Sequence, residues 1–580
     1  MILQALKDYY DRKTDLPRQG FEKKEIPYIL VLDSAGKPIA LNETYEGTGK
    51  QRKAKPYIVP QAVKRASNIA ANLLWDNPEY ALGIPIKGSP ERVQEQHQKF
   101  KERIDELGDI DDAGLKVIKL FLQVSDKKAL LENFGEAYKN LLEDKNGNLS
   151  FQLAGEAELI LENQKIRNAI ESMLFDEDSI KQICLVSGED EVIERLHSSI
   201  KGVAGAQSSG ANIISFNLDA FRSYGKEQGG NSPVGKRAAF AYTTALNHLL
   251  SKDSTQKMLV GDATTVFWAS KETNLENEWS FFFRDPPKDD PDRGTRAVES
   301  LFNSIKTGAL STEAQNRFYV LGLAPNASRI SIRFWIVNTV AGMAEKIAQH
   351  FEDIRIVHGP KESDFLSLFR LLVSTASQGK SENIPPNLAG DTIRSILEGL
   401  PYPETLLQAL VRRNRAEQSK KDKNGRAEPN VTYPRAAFIK ACINRKIRFY
   451  NQNIKEELKM SLDSTNTNIG YRLGRLFAAL EKIQEEASPG INATIRDRFY
   501  GAASGTPVTV FPNLMRLKNH HLAKLESQGR RINFERLIGE IASAGIDGNT
   551  GFPATLAIAD QGKFAIGYYH QRQDFFTKIN

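Results

Sequence analysis

Apolar and polar positions alternate with a period of two in several stretches of the first 340 residues, which predicts strands. In the last 220 the recurrence is close to 3.6, which predicts helices. Residues 28–41, YILVLDSAGKPIAL, read as a β-hairpin, two apolar runs around a Ser-Ala-Gly-Lys turn. Apolar runs at 182–186, 213–217 and 261–269 predict further strands, and AAFAYTTALNHLL at 238–250 a helix. Residues 318–335 predict a hairpin with Ile330, Ile332 and Phe334 on one face and Arg329, Ser331 and Arg333 on the other. Such an arginine row suits RNA or a protein partner, and a merely solvated sheet face carries the same pattern. Residues 89–175 are mostly helical and charged, and after 360 only helical spacing is left, as in ETLLQALVRRNR and IGYRLGRLFAALEKI. The expected class is α+β: a mixed α/β N-terminal region with hairpins and helical insertions, followed by an all-α C-terminal helical bundle. Its expected pieces are 1–359, 360–459 and 460–580.

Residues 57–84 carry the most suggestive polar pattern. Pro60 suits a first helical turn, and Val63, Ala66, Ala70, Leu73 and Leu74 then form one apolar face of a predicted helix. Gln61, Arg65, Asn68 and Asn72 follow at steps of four, three and four, with Lys64 beside them. Arg pairs bidentately with guanine and Asn or Gln with adenine, so the stripe fits a reader of duplex DNA. An ordinary surface helix carries such residues too. Other cations suit a phosphate backbone: Lys50, Arg52 and Lys53 on the loop 47–55, and Arg412, Arg413, Arg415, Lys420 and Lys421 in the basic run 412–428. Arg472, Arg475 and Lys482 fall within about 80° on one helix, an arrangement for a single-strand groove. Lys226, Gln228 and Asn231 sit on the glycine-rich loop 224–233, where small residues allow close approach to phosphates or a base step.

Composition adds bounds. A chain of 580 residues holds two or more domains, and a net charge of +6 with pI near 8.9 permits a nucleic-acid partner without requiring one. Cys184 and Cys442 lie far apart in apolar contexts, which fits buried free thiols rather than a disulfide or a zinc site. The N-terminus lacks the pattern of a signal peptide and no apolar run approaches a membrane span, so a cytoplasmic protein is expected. GTGKQ lacks the glycine spacing and the hydroxyl residue of a phosphate loop. EDKNGNL lacks the ligands of a calcium loop and reads as an Asn-Gly turn. Asp285, Asp289, Asp290 and Asp292 read as a solvated connector rather than a metal cluster. His520 and His521 point about 100° apart on a helix and do not readily share a metal. No nucleophile elbow, His-Glu-x-x-His or carboxylate pair is evident, so neither catalysis nor a cofactor is expected.

The blocks MILQALKDYY, GAQSSGANIISFN, SYGKEQG, AAFAYTTALNHLL, GDATTVFWA and RFYVLGLAPNASRISIRFW, with residues 57–84, run through most of the chain in a fixed order. Together they resemble the large subunit of the type I-C CRISPR surveillance complex (Cascade). The resemblance implies a non-catalytic subunit that recognises the protospacer-adjacent motif in double-stranded DNA, promotes duplex opening and R-loop formation, and recruits a separate helicase-nuclease. Its implied partners are CRISPR RNA, the target duplex with its displaced strand, the Cascade backbone subunits, the handle-binding and RNA-processing subunit, and the small subunit. It also implies a small subunit translated from an internal start. Met460 opens MSLDSTNTNIGYRLGRLF, followed by about the length of a small bundle, and the purine-rich codons of Glu456 and Glu457 suit a ribosome-binding site just upstream. Two other readings stay open: a nucleic-acid enzyme whose metal site is not visible in sequence, and an assembly scaffold without DNA contacts.

Overall fold

The computed structural model describes residues 2–47, 52–63, 69–145, 147–173, 181–260, 262–284, 293–307, 315–385, 387–417, 429–450, 456–543 and 551–576. Two compact units divide the chain. Leu3–Ser198 with Ile214–Ala245 form the first, and Ser199–Ile213 with Leu246–Asn580 the second.

The strands of the first unit are β1 (Phe21–Glu25), β2 (Tyr28–Leu32), β3 (Pro38–Glu43), β4 (Tyr45–Glu46), β5 (Lys53–Ala54), β6 (Pro56–Pro60), β7 (Trp75–Asp76), β8 (Leu149–Leu153), β9 (Lys181–Ile183) and β10 (Asp190–Val192). A four-stranded sheet runs β3-β2-β8-β7. The expected hairpin at 28–41 is its β2–β3 pair, and β8 joins β2 in parallel. All five residues of β2 are buried, which is why YILVL is continuously apolar rather than alternating. Two helices, α1 (Pro90–Asp105) and α2 (Ala113–Gln123), are capped by the side chains of Ser89 and Asp112. Phe100 of α1 and Phe121 of α2 meet Phe151 of β8 at ring distances of 6.3 and 6.1 Å. β1 and β6 form a separate antiparallel ribbon, and β4 and β5 a short hairpin. The helix expected at 238–250 is α3 (Lys236–Leu249).

In the second unit β11 (Lys257–Val260), β12 (Ala263–Ala269), β13 (Arg317–Asn326) and β14 (Arg329–Thr339) form an antiparallel meander. Trp279 of α4 (Asn274–Phe283) stacks on Phe318 at 4.5 Å, and α5 (Val340–Ile354) and α6 (Leu388–Glu398) belong to the same core. Trp268, Tyr319 and Trp335 stack together at 5.4–5.6 Å, one ring from each of three adjacent strands. The remaining helices used below are α7 (Glu404–Ala416), α8 (Tyr433–Phe449), α9 (Ile469–Ala487), α10 (Ile495–Gly505), α11 (Phe511–Ala523), α12 (Gln528–Ser543) and α13 (Ile558–Asp574). Strands give out near 360, but one apolar core runs through that position, from Met258 to Tyr569. α9 and α13 cross at backbone contact. A Cβ on Gly474 would lie 2.0 Å from the Phe564 carbonyl oxygen, and one on Gly567 2.0 Å from that of Tyr471. On α13, Gly562 faces Leu407 of α7 with Ile439 and Ile443 of α8.

Three expectations need correction. The helix after Pro60 is absent among the described residues: β6 ends at Pro60, and 61–63 and 69–74 are irregular. Tyr57, Ile58 and Val59 suit a strand, and Pro60 closes its ladder rather than opening a turn of helix. Residues 213–217 form no strand. Single bridges join Ile200 to Ala211 and Asn212 to Arg329, and the first closes the segment GVAGAQSSG, residues 202–210. Finally, the arginine row on β14 is broken by a bulge at Gly322/Leu323, where Arg333 is left without a partner residue. Ile332 and Arg333 are consequently both exposed, while Ile330 is buried.

Candidate nucleic-acid interface

The two basic segments singled out in the first unit flank one strand. β6 pairs with β1 so that Lys23 lies opposite Ile58 and Lys24 opposite Tyr57, while Phe21 and Val59 are buried. Its five residues span about 17 Å. Aromatic rings lie under the cations: Arg52 4.0 Å from Tyr45, Lys55 5.3 Å from Tyr57, and Lys24 5.7 Å from Trp75. Tyr45 is fixed in turn by a 2.5 Å bond from its hydroxyl to Asp144. Burial, with that bond, pushes its pKa up to about 12. Arg52 also bonds Glu43 at 3.2 Å, and Lys53 is exposed. Lys50 lies outside the described residues.

After β6 the chain makes a loop stapled at its base. The Trp75 indole donates to the Pro60 carbonyl at 2.8 Å, and the Val63 amide donates to the Asn72 carboxamide at 3.0 Å. The Asn72 amide donates to Asp76 at 2.9 Å, and Leu74 takes a left-handed φ of +63° to turn the chain into β7. Asn72 is only 5 % exposed. Its side chain is thus spent on holding the loop, which corrects its expected place among the base readers. Gln61 is exposed at the loop's start, its amide donating to Gly20 at 2.7 Å. Lys64, Arg65 and Asn68 fall outside the described residues.

A second rigid loop surrounds Lys226. Asn231 accepts from the Ser223 amide at 3.0 Å and donates to the carbonyls of Lys226 and Gln228 at 3.2 and 3.1 Å, so it is a staple, not a free contact. Gln228 is half-buried at φ +43°, and Lys226 is exposed. A Cβ on Gly229 would lie 2.1 Å from the Glu194 carbonyl oxygen, which explains the glycine. At the tip stands Tyr224, 99 % exposed at φ +51°, a conformation that costs a non-glycine residue free energy. Sequence reasoning passed over it. The available signal was an aromatic residue between Ser223 and Gly225, in a loop too polar to bury it.

The candidates of the second unit fare unevenly. Arg333 bonds Asp262 at 2.9 Å, and Arg329 is half-buried beside its bridge to Asn212. Arg412 and Arg415 are exposed at the end of α7, Arg415 donating to Gln561 at 3.3 Å. Arg413 shares Glu417 with Arg435, at 2.6 and 2.7 Å. Lys420 and Lys421 lie outside the described residues. Arg472 and Arg475 are 2 % and 1 % exposed, so they cannot line an open groove as expected. Arg472 donates to the Ile541 carbonyl at 2.9 Å near the end of α12; Arg475 bonds Gln571 at 3.0 Å and Glu540 at 3.1 Å. Lys482 is mostly covered, 3.4 Å from Glu486.

Both cysteines are free and buried. Among the described residues no group of three or more His, Cys, Asp or Glu could hold a metal ion, and no helix is long and apolar enough to cross a membrane. A family profile described as CRISPR-associated protein (Cas_Csd1) matches residues 6–576. The chain belongs to the Cas_Csd1 family. Csd1 proteins are the large subunits of type I-C Cascade, as the ordered sequence blocks led us to expect. No curated protein sequence matches the chain. Within the Csd1 frame, the exposed cations Arg52, Lys53 and Lys55 before β6 and the Tyr224 loop are the features that suit a nucleic acid best.

Proposed function

We propose that this Csd1 chain reads the protospacer-adjacent motif in the target duplex, promotes strand opening and R-loop formation, and recruits the helicase-nuclease. Guide pairing supplies most of the sequence specificity in such a complex, which leaves the protein a short duplex motif. The observation that carries the reading is the loop 60–75, stapled at its base and preceded by cations resting on aromatic rings. Its rigid base suits side chains that must discriminate bases, each good bidentate contact being worth about 1–3 kcal/mol. Gln61, Lys64, Arg65 and Asn68 are the proposed readers; Arg52, Lys53 and Lys55 hold phosphates. The Tyr224–Lys226 tip lies at the point of strand separation. CRISPR RNA, the backbone and handle-binding subunits, the small subunit and the displaced strand complete the assembly.

The test uses assembled complex and targets with correct or altered motifs. Alanine at Gln61, Arg65 and Asn68 is expected to flatten motif preference, whereas Asn72→Ala weakens binding to every motif alike because the loop loses its staple. An unchanged preference in the triple variant rejects the reading.

The pieces 1–359, 360–459 and 460–580 are proposed as functional divisions, the last also made separately from Met460. That residue sits in the strap before α9, its carbonyl accepting from Val357 at 2.8 Å, and among the described residues five α-helices follow it. Expression of the untagged gene is expected to yield a fragment beginning at Met460 in intact-mass spectra, lost when that codon is changed to leucine. Absence of the fragment, or its persistence after the change, removes this start.

A further inference from the structure

β14 is an edge strand of the meander, and its outer side is only partly used. The Val340 amide donates to the Asn316 carbonyl at 2.8 Å, so these two residues form a hydrogen-bonded pair at the end of the β13–β14 ladder. Antiparallel ladders alternate. Phe318–Asn338 and Val320–Ile336 are therefore the next such pairs, and the N–H and C=O groups of Trp335, Val337 and Thr339 point away from β13. Both ends of that outer side are occupied. The Ile330 amide donates to the Asn212 carbonyl at 3.0 Å beside the single parallel bridge from Asn212 to Arg329, and the Thr339 amide donates to the Asn338 carboxamide at 2.8 Å. Between them, among the described residues, the Trp335 and Val337 amides have no acceptor. Exposed edges are normally blunted by Lys, Pro, a charge or a bulge. Here Arg333 and its bulge guard only the start, and Phe334 to Thr339 reads FWIVNT. Val337 is 46 % and Ile332 43 % exposed, and Trp335 and Val337 share the sheet face on which Trp268 and Tyr319 stack.

We infer that this edge takes an extended segment of another Cascade subunit, apolar at alternate positions, as a fifth strand of the sheet. The chain's family supplies subunits of such an assembly. A row of unpaired backbone N–H and C=O groups is matched in spacing by another strand, and Trp335 and Val337 then select which alternate side chains fit beside them. The Asn212 bridge shows that the edge accepts a neighbouring backbone. A second copy of this chain fits less well. Antiparallel self-pairing through Trp335 or Val337 sets residues 329–330 of one copy, with Asn212 beside them, opposite the first turns of α5 in the other. Parallel self-pairing in register sets Arg333 beside Arg333, and like charges side by side are unfavourable. The inference rests on membership of a multi-subunit assembly and not on motif reading, so the two fail separately.

Amide hydrogen exchange, resolved to single residues, is compared between the isolated full chain and the assembled complex. Trp335 and Val337 are expected to exchange freely in the isolated chain and about tenfold or more slowly in the complex, with Ile336 and Asn338 slow in both. Val337→Pro removes an outward N–H without breaking a bond to β13. It is expected to leave the melting temperature of the chain nearly unchanged and to weaken incorporation into the complex about tenfold. The exchange comparison uses the unaltered chain, so it decides the matter even where the proline variant folds poorly. A photocrosslinking residue at position 332, exposed beside the edge, is expected to label a protein subunit. Unchanged exchange at Trp335 and Val337 on assembly, normal incorporation of Val337→Pro, or crosslinks to nucleic acid alone overturn the inference. So does slow exchange already in the isolated chain, which assigns the edge to a second copy where it grows with concentration.

Discussion

At Tyr224 and Asn72 the structure separates two jobs that polar and aromatic residues share in sequence. Tyr224 is displayed at the cost of a left-handed backbone, whereas Asn72 is withdrawn to shape a loop. The same inward turn governs four histidines. His97 pairs through Nδ1 with the Tyr80 carbonyl, and His197, His350 and His570 with the hydroxyls of Tyr242, Tyr402 and Tyr471. Burial lowers the pKa of His97 and His197 to about 4 and of His350 and His570 to about 3. The folded chain therefore keeps these rings neutral, while the unfolded chain takes up protons near pH 6.5. Stability from these sites is whole above about 6.5 and drains as pH falls toward about 4. Urea midpoints are expected to drop steeply between about pH 6.5 and 4.5, and His350→Gln to soften the drop. A flat profile over that interval contradicts buried neutral imidazoles.

Among the elements, the α9–α13 crossing sets the tightest demand on sequence. Gly474→Ala places a methyl group against the Phe564 carbonyl, and overpacking of this kind costs about 1–3 kcal/mol or more. Gly539→Ala, on α12 with open space at its Cβ, is expected to stabilise by about 0.5–1 kcal/mol. Thermal melts of the two variants are expected to move in opposite directions; equal shifts would show that the helices have room to separate. Elements with one covered face were legible by their periodicity, the hairpin at 318–335 and the helices after 360, and the hairpin at 28–41 by two apolar runs around a turn. The stretch after Pro60 was not, because side-chain staples bury Ala71, Leu73 and Leu74 without any helical repeat. Helical angles likewise show that Arg472 and Arg475 share a face, but only the packing of α12 and α13 shows that the face is closed. Of the candidate site, the basic flanks of β6 were legible as charge, the Asn72 and Asn231 staples were not.

For the molecule as a whole, the ribbon and stapled loop of the first unit are the proposed nucleic-acid surface. Family membership rests on nearly the full chain, so both units belong to the Csd1 design rather than one being an appendage. α13 lies between α9 on one side and α7 with α8 on the other, which ties the segment after Met460 into the core that precedes it. The central claim, that the stapled loop faces the motif duplex, is tested most directly by proximity. A photocrosslinking residue at position 61, exposed at the loop's entry, is placed in assembled complex on a radiolabelled target. The account predicts crosslinks to the base pairs of the motif and their loss on a target without one. Crosslinks confined to RNA or to other subunits, or none to the motif duplex, would contradict it.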